Sequence, residues 1–209
     1  MDKRMFGRRM AVMLLGILVM GIGIGLFKLS LMGNDPSTAM VIAIGERVGV
    51  DFSIILIGMN CAWFGVEWGL DRKLVGIGTF VNWFLVGPIA SGFEKLVLGV
   101  WPGPEGLGAR LLLMLCGVLV LSFACAMYQT ADVGIAPYDA LSIILSKKSG
   151  RSYFGCRMVT DCLCTLIALA LGGLIGPGTL VCAVGLGPFI TFFSEKAAKR
   201  MVGSPTKTA

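Results

Sequence analysis

Six apolar runs, at about 10–29, 52–70, 75–93, 110–128, 153–171 and 175–193, each reach the roughly 18–20 residues that a helix needs to cross about 30 Å of hydrocarbon. Six such runs take up more than half of the 209 residues. The chain is read as an all-α polytopic membrane protein. The 56% hydrophobic and 14% charged content exceeds what a soluble core of this size would bury. Its 30 glycines suit helices that pack closely in lipid through small residues. The first run is long enough to span, so it is taken as a retained helix and not as a cleaved signal.

Between these runs lie two shorter segments, at about 36–47 and 137–146. The first opens with Asp35-Pro36 and ends in Glu46-Arg47; the second opens with Pro137-Tyr138-Asp139 and ends in Lys147-Lys148. Proline fits the first turn of a helix, where its missing N–H would be unpaired anyway, and a nearby carboxylate meets the positive end of the helix dipole. At about 15–18 Å each, these helices are too short to cross.

The two halves superpose. At an offset of 101, Phe27 falls on Tyr128, Gly33 on Gly134, Pro36 on Pro137, Ala39 on Ala140, Gly49 on Gly150 and Asn60 on Asp161. At an offset of 100, Gly76-x-Gly78-Thr79 meets Gly176-x-Gly178-Thr179, and Gly87-Pro88 meets Gly187-Pro188. An ordered series of this kind predicts a duplicated unit. The expected organisation is a basic cytoplasmic N-terminus (1–9), membrane repeat 1 (10–97), a Pro/Gly-rich linker (98–109), membrane repeat 2 (110–196) and a cytoplasmic tail (197–209).

If each short segment is a re-entrant half-helix, each repeat has three transmembrane helices. Three is odd, so the repeats are inverted. This arrangement leaves Glu46-Arg47 in water, whereas the reverse would strand two charges in hydrocarbon. The alternative is that the short helices span, giving parallel halves. Of the 18 Lys and Arg, leaving out Arg157 within a span, the hairpin topology puts 13 on the side of the termini and 4 (Lys28, Arg47, Lys95, Arg110) opposite; the spanning topology gives 14 and 3 (Lys28, Arg72, Lys73). Charge does not choose between them, and length favours the hairpin. Either way the positive-inside rule puts both termini in the cytoplasm, and it accounts for the net charge of +6 without a nucleic-acid partner.

Two inward-pointing helix starts from inverted halves suit a midplane binding site. Pro36, Asp35, Pro137, Tyr138 and Asp139 are its first candidates. Asp161 lies about eight residues into a span, where a carboxylate is costly, and Arg157 at i−4 can pair with it. A structural ion pair would use the same two residues. Asn60, the repeat partner of Asp161, is polar at equal depth; Tyr128, Gln129 and Asn82 are further cavity candidates. Glu67, close to Asp71, Arg72 and Lys73, is expected to snorkel to the interface. The seven cysteines make no C-x-x-C pair and there is no histidine, so neither a metal site nor a cofactor is expected. Nor does the chain carry an enzyme or ATPase motif.

The Gly134-x-x-Pro137-Tyr138-Asp139-Ala140-Leu141 segment, with Gly178-Thr179 and Gly187-Pro188 in the last helix of the repeat, resembles the YczE/YyaS/YitT group of bacterial integral membrane proteins. The likeness runs from about 14 to 196 and is clearest in the second half. In the first half Ser37-Thr38 replace the Tyr-Asp pair, so a site using that Asp would be asymmetric. The resemblance implies a multi-pass protein of the bacterial cytoplasmic membrane, with a hint of vitamin B6-type metabolism. The combined expectation is a secondary permease for a small polar solute, not an enzyme. Its partners would be that solute and the lipid bilayer, with a homo-oligomer or an energising ATPase module both compatible. The rivals are a passive channel and a non-transporting membrane scaffold or regulator.

Overall fold

The computed structural model describes residues 3–203, and within them every regular element is helical. Lys207, one of the 18 basic residues in the count above, lies outside the described residues. Six helices are long and apolar enough to cross a membrane: α1 (Lys3–Ser30), α3 (Phe52–Leu70), α4 (Ile77–Val100), α5 (Leu107–Ala131), α7 (Tyr153–Ala170) and α8 (Pro177–Phe193), the last running on through a π-helical turn (Ser194–Ala198) into α9 (Lys199–Val202). The two short segments are helices of 13 residues each, α2 (Pro36–Val48) and α6 (Pro137–Ser149). Both overrun the expected ends and stop at a left-handed glycine, Gly49 and Gly150, which closes the final turn.

Helices α1 and α5 form the centre of the bundle and are its most buried spans. They run antiparallel: Gly16 lies against Ala124 and Tyr128, Gly23 against Leu121, and Phe27 against Gly117. The absence of a side chain at these glycines lets the two backbones approach, the usual way helices associate where apolar burial drives nothing. By contrast α1 and α4 run parallel, with Gly21 on Ile89, Gly25 on Phe93 and Lys28 ion-paired with Glu94. Helices α5 and α8 repeat that parallel contact, through Met114 on Gly178, Phe123 on Phe193 and Thr130 on Ser194. Large apolar side chains such as Ile54, Phe84, Leu166 and Val184 are exposed on the outer helices, as a lipid-facing surface requires.

Positions 101 apart take the same backbone conformation. Leu31 and Asp132 both sit at φ 54°, and Gly33 and Gly134 follow at φ 95° and 124°. The left-handed conformations break the chain sharply after α1 and α5. Each break is closed by the other half: the Gly78 N–H donates to Val133 O at 2.8 Å, and the Gly178 N–H donates to Met32 O at 2.9 Å. The short helices cross over in the same way, α2 packing on α7 and α6 on α3.

One end of the bundle carries Arg9 paired with Asp132, and Asp71 paired with Lys147 at 3.0 Å. The hydrogen bond from Lys147 holds the Asp71 carboxyl below the usual carboxylate range. A depressed carboxyl adds stability above its unfolded value, about 3.9, and loses it as the pH falls through the folded value. Asp71→Asn should therefore melt slightly below the wild type near neutral pH, with the difference vanishing in acid; a pH series of thermal melts reads this directly.

The crossed contacts leave no room for a side chain. A methyl on Gly76 would overlap the carbonyl of Val133, and one on Gly176 the carbonyl of Met32. Gly76→Ala or Gly176→Ala should cost about 1–3 kcal/mol or more, as overpacking does. Gly99→Ala, with nothing near it, is the neutral control for thermal melts in detergent.

Candidate functional site

Helix α2 is capped by Asp35, whose carboxylate accepts the Thr38 N–H at 3.1 Å through Oδ2. Helix α6 starts differently. Ala136 stands at its cap position and provides no side-chain bond, so the carboxylate comes from Asp139 in the first turn. Asp139 is not spent on capping. Its Oδ1 accepts a hydrogen bond from Arg157 Nη1, forming an ion pair between two buried side chains.

Arg157 lies one turn before Asp161 on α7, and its Nε is 3.2 Å from Asp161 Oδ1. The Tyr138 hydroxyl donates to the same Oδ1 at 2.5 Å, and the guanidinium sits 4.9 Å from the centre of the Tyr138 ring. One cation thus bridges two carboxylates and stacks on an aromatic face, the geometry that arginine's planar fork suits. Asp161 is 1% exposed, Arg157 5% and Asp139 5%, so this is a desolvated triad and not an interfacial pair. Beside it the Ser142 and Thr160 hydroxyls are bonded at 2.9 Å, satisfying the next turn of the α6–α7 contact.

A narrow cavity of about 70 Å³ borders this triad halfway along the long helices. Its polar lining includes Asp35, Asn60, Asn82, Tyr138, Asp139 and Arg157. Its apolar walls include Ile24, Val86, Leu121 and Leu186, one from each of α1, α4, α5 and α8. Both short helices begin at this cavity, and Asp35 Oδ1, buried here, has no hydrogen-bond partner. Three carboxylates (Asp35, Asp139, Asp161) face one guanidinium. Each helix start adds about half a positive charge, so with all three carboxylates ionised roughly one negative charge is left over. A larger depression of about 230 Å³ lies near the linker, between the Lys28–Glu94 pair and Arg110.

The structure therefore brings together Asp35, Asn60, Tyr138, Asp139, Arg157 and Asp161, with Asn82. Pro36 and Pro137 stand at the first helical position and do not line the cavity. Tyr128 is fully buried against Gly16 on α1, and Gln129 donates to its hydroxyl at 3.5 Å; neither borders the cavity. Ser37 and Thr38 do border it, although the sequence reading valued Thr38 only as the counterpart of Asp139; their place in the first turn of α2 was the available signal. Glu67 departs furthest from expectation. It does not snorkel: it is wholly buried, because α6 covers the face of α3 that carries it. Among the described residues no cluster of His, Cys, Asp and Glu has the geometry of a metal site.

A bundle of six candidate spans around a buried polar cavity defines a multi-pass membrane protein. Residues 7–195 match the family of unknown function DUF6198, and the chain belongs to that family. It is 28% identical over 194 residues to an uncharacterized protein of Haemophilus influenzae, covering 92% of this chain and 86% of that one. It is also 21% identical to the uncharacterized membrane protein YczE of Bacillus subtilis (85% of this chain, 81% of that one) and 26% identical to YyaS of the same organism (82% and 86%). The resemblance drawn from Gly134 to Leu141 is borne out. No solved structure matches the chain significantly.

The triad makes a stability prediction. Arg157→Gln leaves two buried carboxylates without their counter-ion and should cost about 3–5 kcal/mol. Adding Asp161→Asn removes one of them, so the double variant should recover part of the loss, with a coupling of about 0.5–3 kcal/mol. Additive effects on the melting temperature would mean that the two residues never interact.

Proposed function

We propose that the protein is a secondary permease for a small polar solute carrying a positive charge, which binds in the cavity where α2 and α6 begin. The observation that carries this reading is that cavity: two half-length helices from different halves start at it, and it holds a buried carboxylate oxygen without a partner. An excess of about one negative charge calls for a cation when the site is filled. Solute enters and leaves unchanged, without catalysis or a cofactor.

The same reading takes the chain as two inverted repeats with re-entrant α2 and α6. Support comes from helix directions. Were α2 to span, α4 would run opposite to α1 and α5 would run with it. Instead α4 runs parallel to α1, and α5 antiparallel. Arg72, Lys73, Lys147 and Lys148 then share a face with the N-terminus, which the positive-inside rule assigns to the cytoplasm of the bacterial inner membrane. Alternating access would rock one repeat against the other about the fixed cavity.

The test begins with a thermal-shift screen of the purified chain against amines, amino acids and vitamins, since specific binding raises apparent stability. A hit is then followed as counterflow in proteoliposomes. Saturable uptake with counterflow is expected. Asp35→Asn, which caps a helix as well as Asp does, should keep the fold and weaken binding by about tenfold to a hundredfold. Unchanged affinity in that variant would sink the site, and flux that never saturates would point to a pore.

A further inference from the structure

Glu67 is fully buried on α3, and neither of its carboxylate oxygens has a hydrogen-bond partner. One turn earlier the Trp63 indole N–H is also buried and unpartnered. With Asn60 and Asp71 these residues sit at i, i+3, i+7 and i+11, one stripe on one face of the helix. That face meets α6 at both ends. The Trp63 ring lies 6.5 Å from the ring of Tyr138 at the start of α6, and Asp71 pairs with Lys147 at its end. The stripe spans about 16 Å, roughly half the hydrocarbon thickness, from Asn60 at the cavity to Asp71 at the surface.

We propose that Glu67 is a proton-binding site on a polar route linking the surface at Asp71 to the central cavity. The proposal rests on the permease reading only for its use, which would be to couple solute movement to protons. An ionised carboxylate at this depth without a counter-ion costs several kcal/mol. The charged groups acting most on Glu67, Asp71 at the end of α3 and Asp139 on α6, are both acidic and add repulsion; of the two cations just past Asp71, Arg72 donates to Trp68 O and lies over the Trp68 ring, and Lys73 is exposed. Lys147 on α6 is engaged by Asp71, and Arg157 on α7 by Asp139 and Asp161. The ionisable groups of α4, Glu94 and Lys95, lie toward its far end, and those of α2, Glu46 and Arg47, are exposed where α2 turns into α3. The resident form of Glu67 is therefore the neutral acid. It loses its proton from the carboxyl O–H to water and regains it from water at the Asp71 end. Packing alone does not require this group, because the position 101 residues on is Ala168, buried with Ala43 of α2 in the crossed contact.

Infrared spectroscopy of the full chain in lipid bilayers tests this with the proton itself as the probe. The wild type should show the carbonyl band of a protonated, weakly hydrogen-bonded carboxylic acid near neutral pH. The band should shift in D₂O and fade as the pH is raised. Glu67→Gln, nearly isosteric and checked for folding by its thermal melt, should lose it; Glu46→Gln, at an exposed position, should keep it. A band that survives Glu67→Gln, or that neither exchanges nor titrates, would overturn the proposal. The readout needs no solute. Its failure would leave the permease reading standing, and a barren solute screen would leave the proton site standing.

Discussion

Two crossed backbone hydrogen bonds carry the rest of this structure. After α1 and after α5 the chain leaves the helix inside a molecule that lipid surrounds, and its freed N–H and C=O groups cannot turn to water. Met32 and Val133 instead present their carbonyls to Gly178 and Gly78, each at the start of the last long helix of the other half. Only glycine allows this approach, since a side chain on Gly76 or Gly176 would collide with the carbonyl it faces. Neither half can close its own break. The two halves thus interlock, and α2 crosses onto α7 and α6 onto α3 in the same sense.

These breaks let two short helices begin in the interior, where their positive ends attract carboxylates. The halves answer differently. In the first, Asp35 caps the helix directly and keeps one oxygen free. In the second, Asp139 and Asp161 are tied to Arg157, and Tyr138 covers the pair. One half thus provides a rigid, neutralising scaffold and the other an open ligand. A cavity with this asymmetry has one strongly held wall and one free acceptor, which is what the proposed solute site would need.

Much of the site was legible in the sequence for simple reasons. A charge deep in an apolar run is conspicuous, so Asp161 stood out by depth, Arg157 by its i−4 spacing to it, and Asn60 as its counterpart at equal depth. Proline with an Asp within two residues marked both helix starts. Tyr128 and Gln129 misled because an aromatic and an amide late in an apolar run resemble cavity lining, while packing against α1 gives Tyr128 a different neighbour. Glu67 misled in the opposite direction. Four residues from Asp71 it looked close enough to water to reach it, and nothing in α3 itself reveals that α6 lies across that face.

The sequence alone determined the solvent and the element menu: apolar length sets which helices can cross, and the ordered matches near an offset of 101 mark what is repeated. Those are properties of a segment and its own backbone. Which way each helix runs, which half supplies each partner, and which oxygens stay unpaired were decided only by the tertiary structure. Lys and Arg counts differed by one between the two topologies, too little to choose. The parallel contact of α1 with α4 and the antiparallel contact of α1 with α5 are long-range facts, written in the close approach of Gly25 to Phe93 and of Gly23 to Leu121. Helix direction depends on what the chain does between spans, and a half-length helix counts as a crossing or not according to the neighbours that receive it.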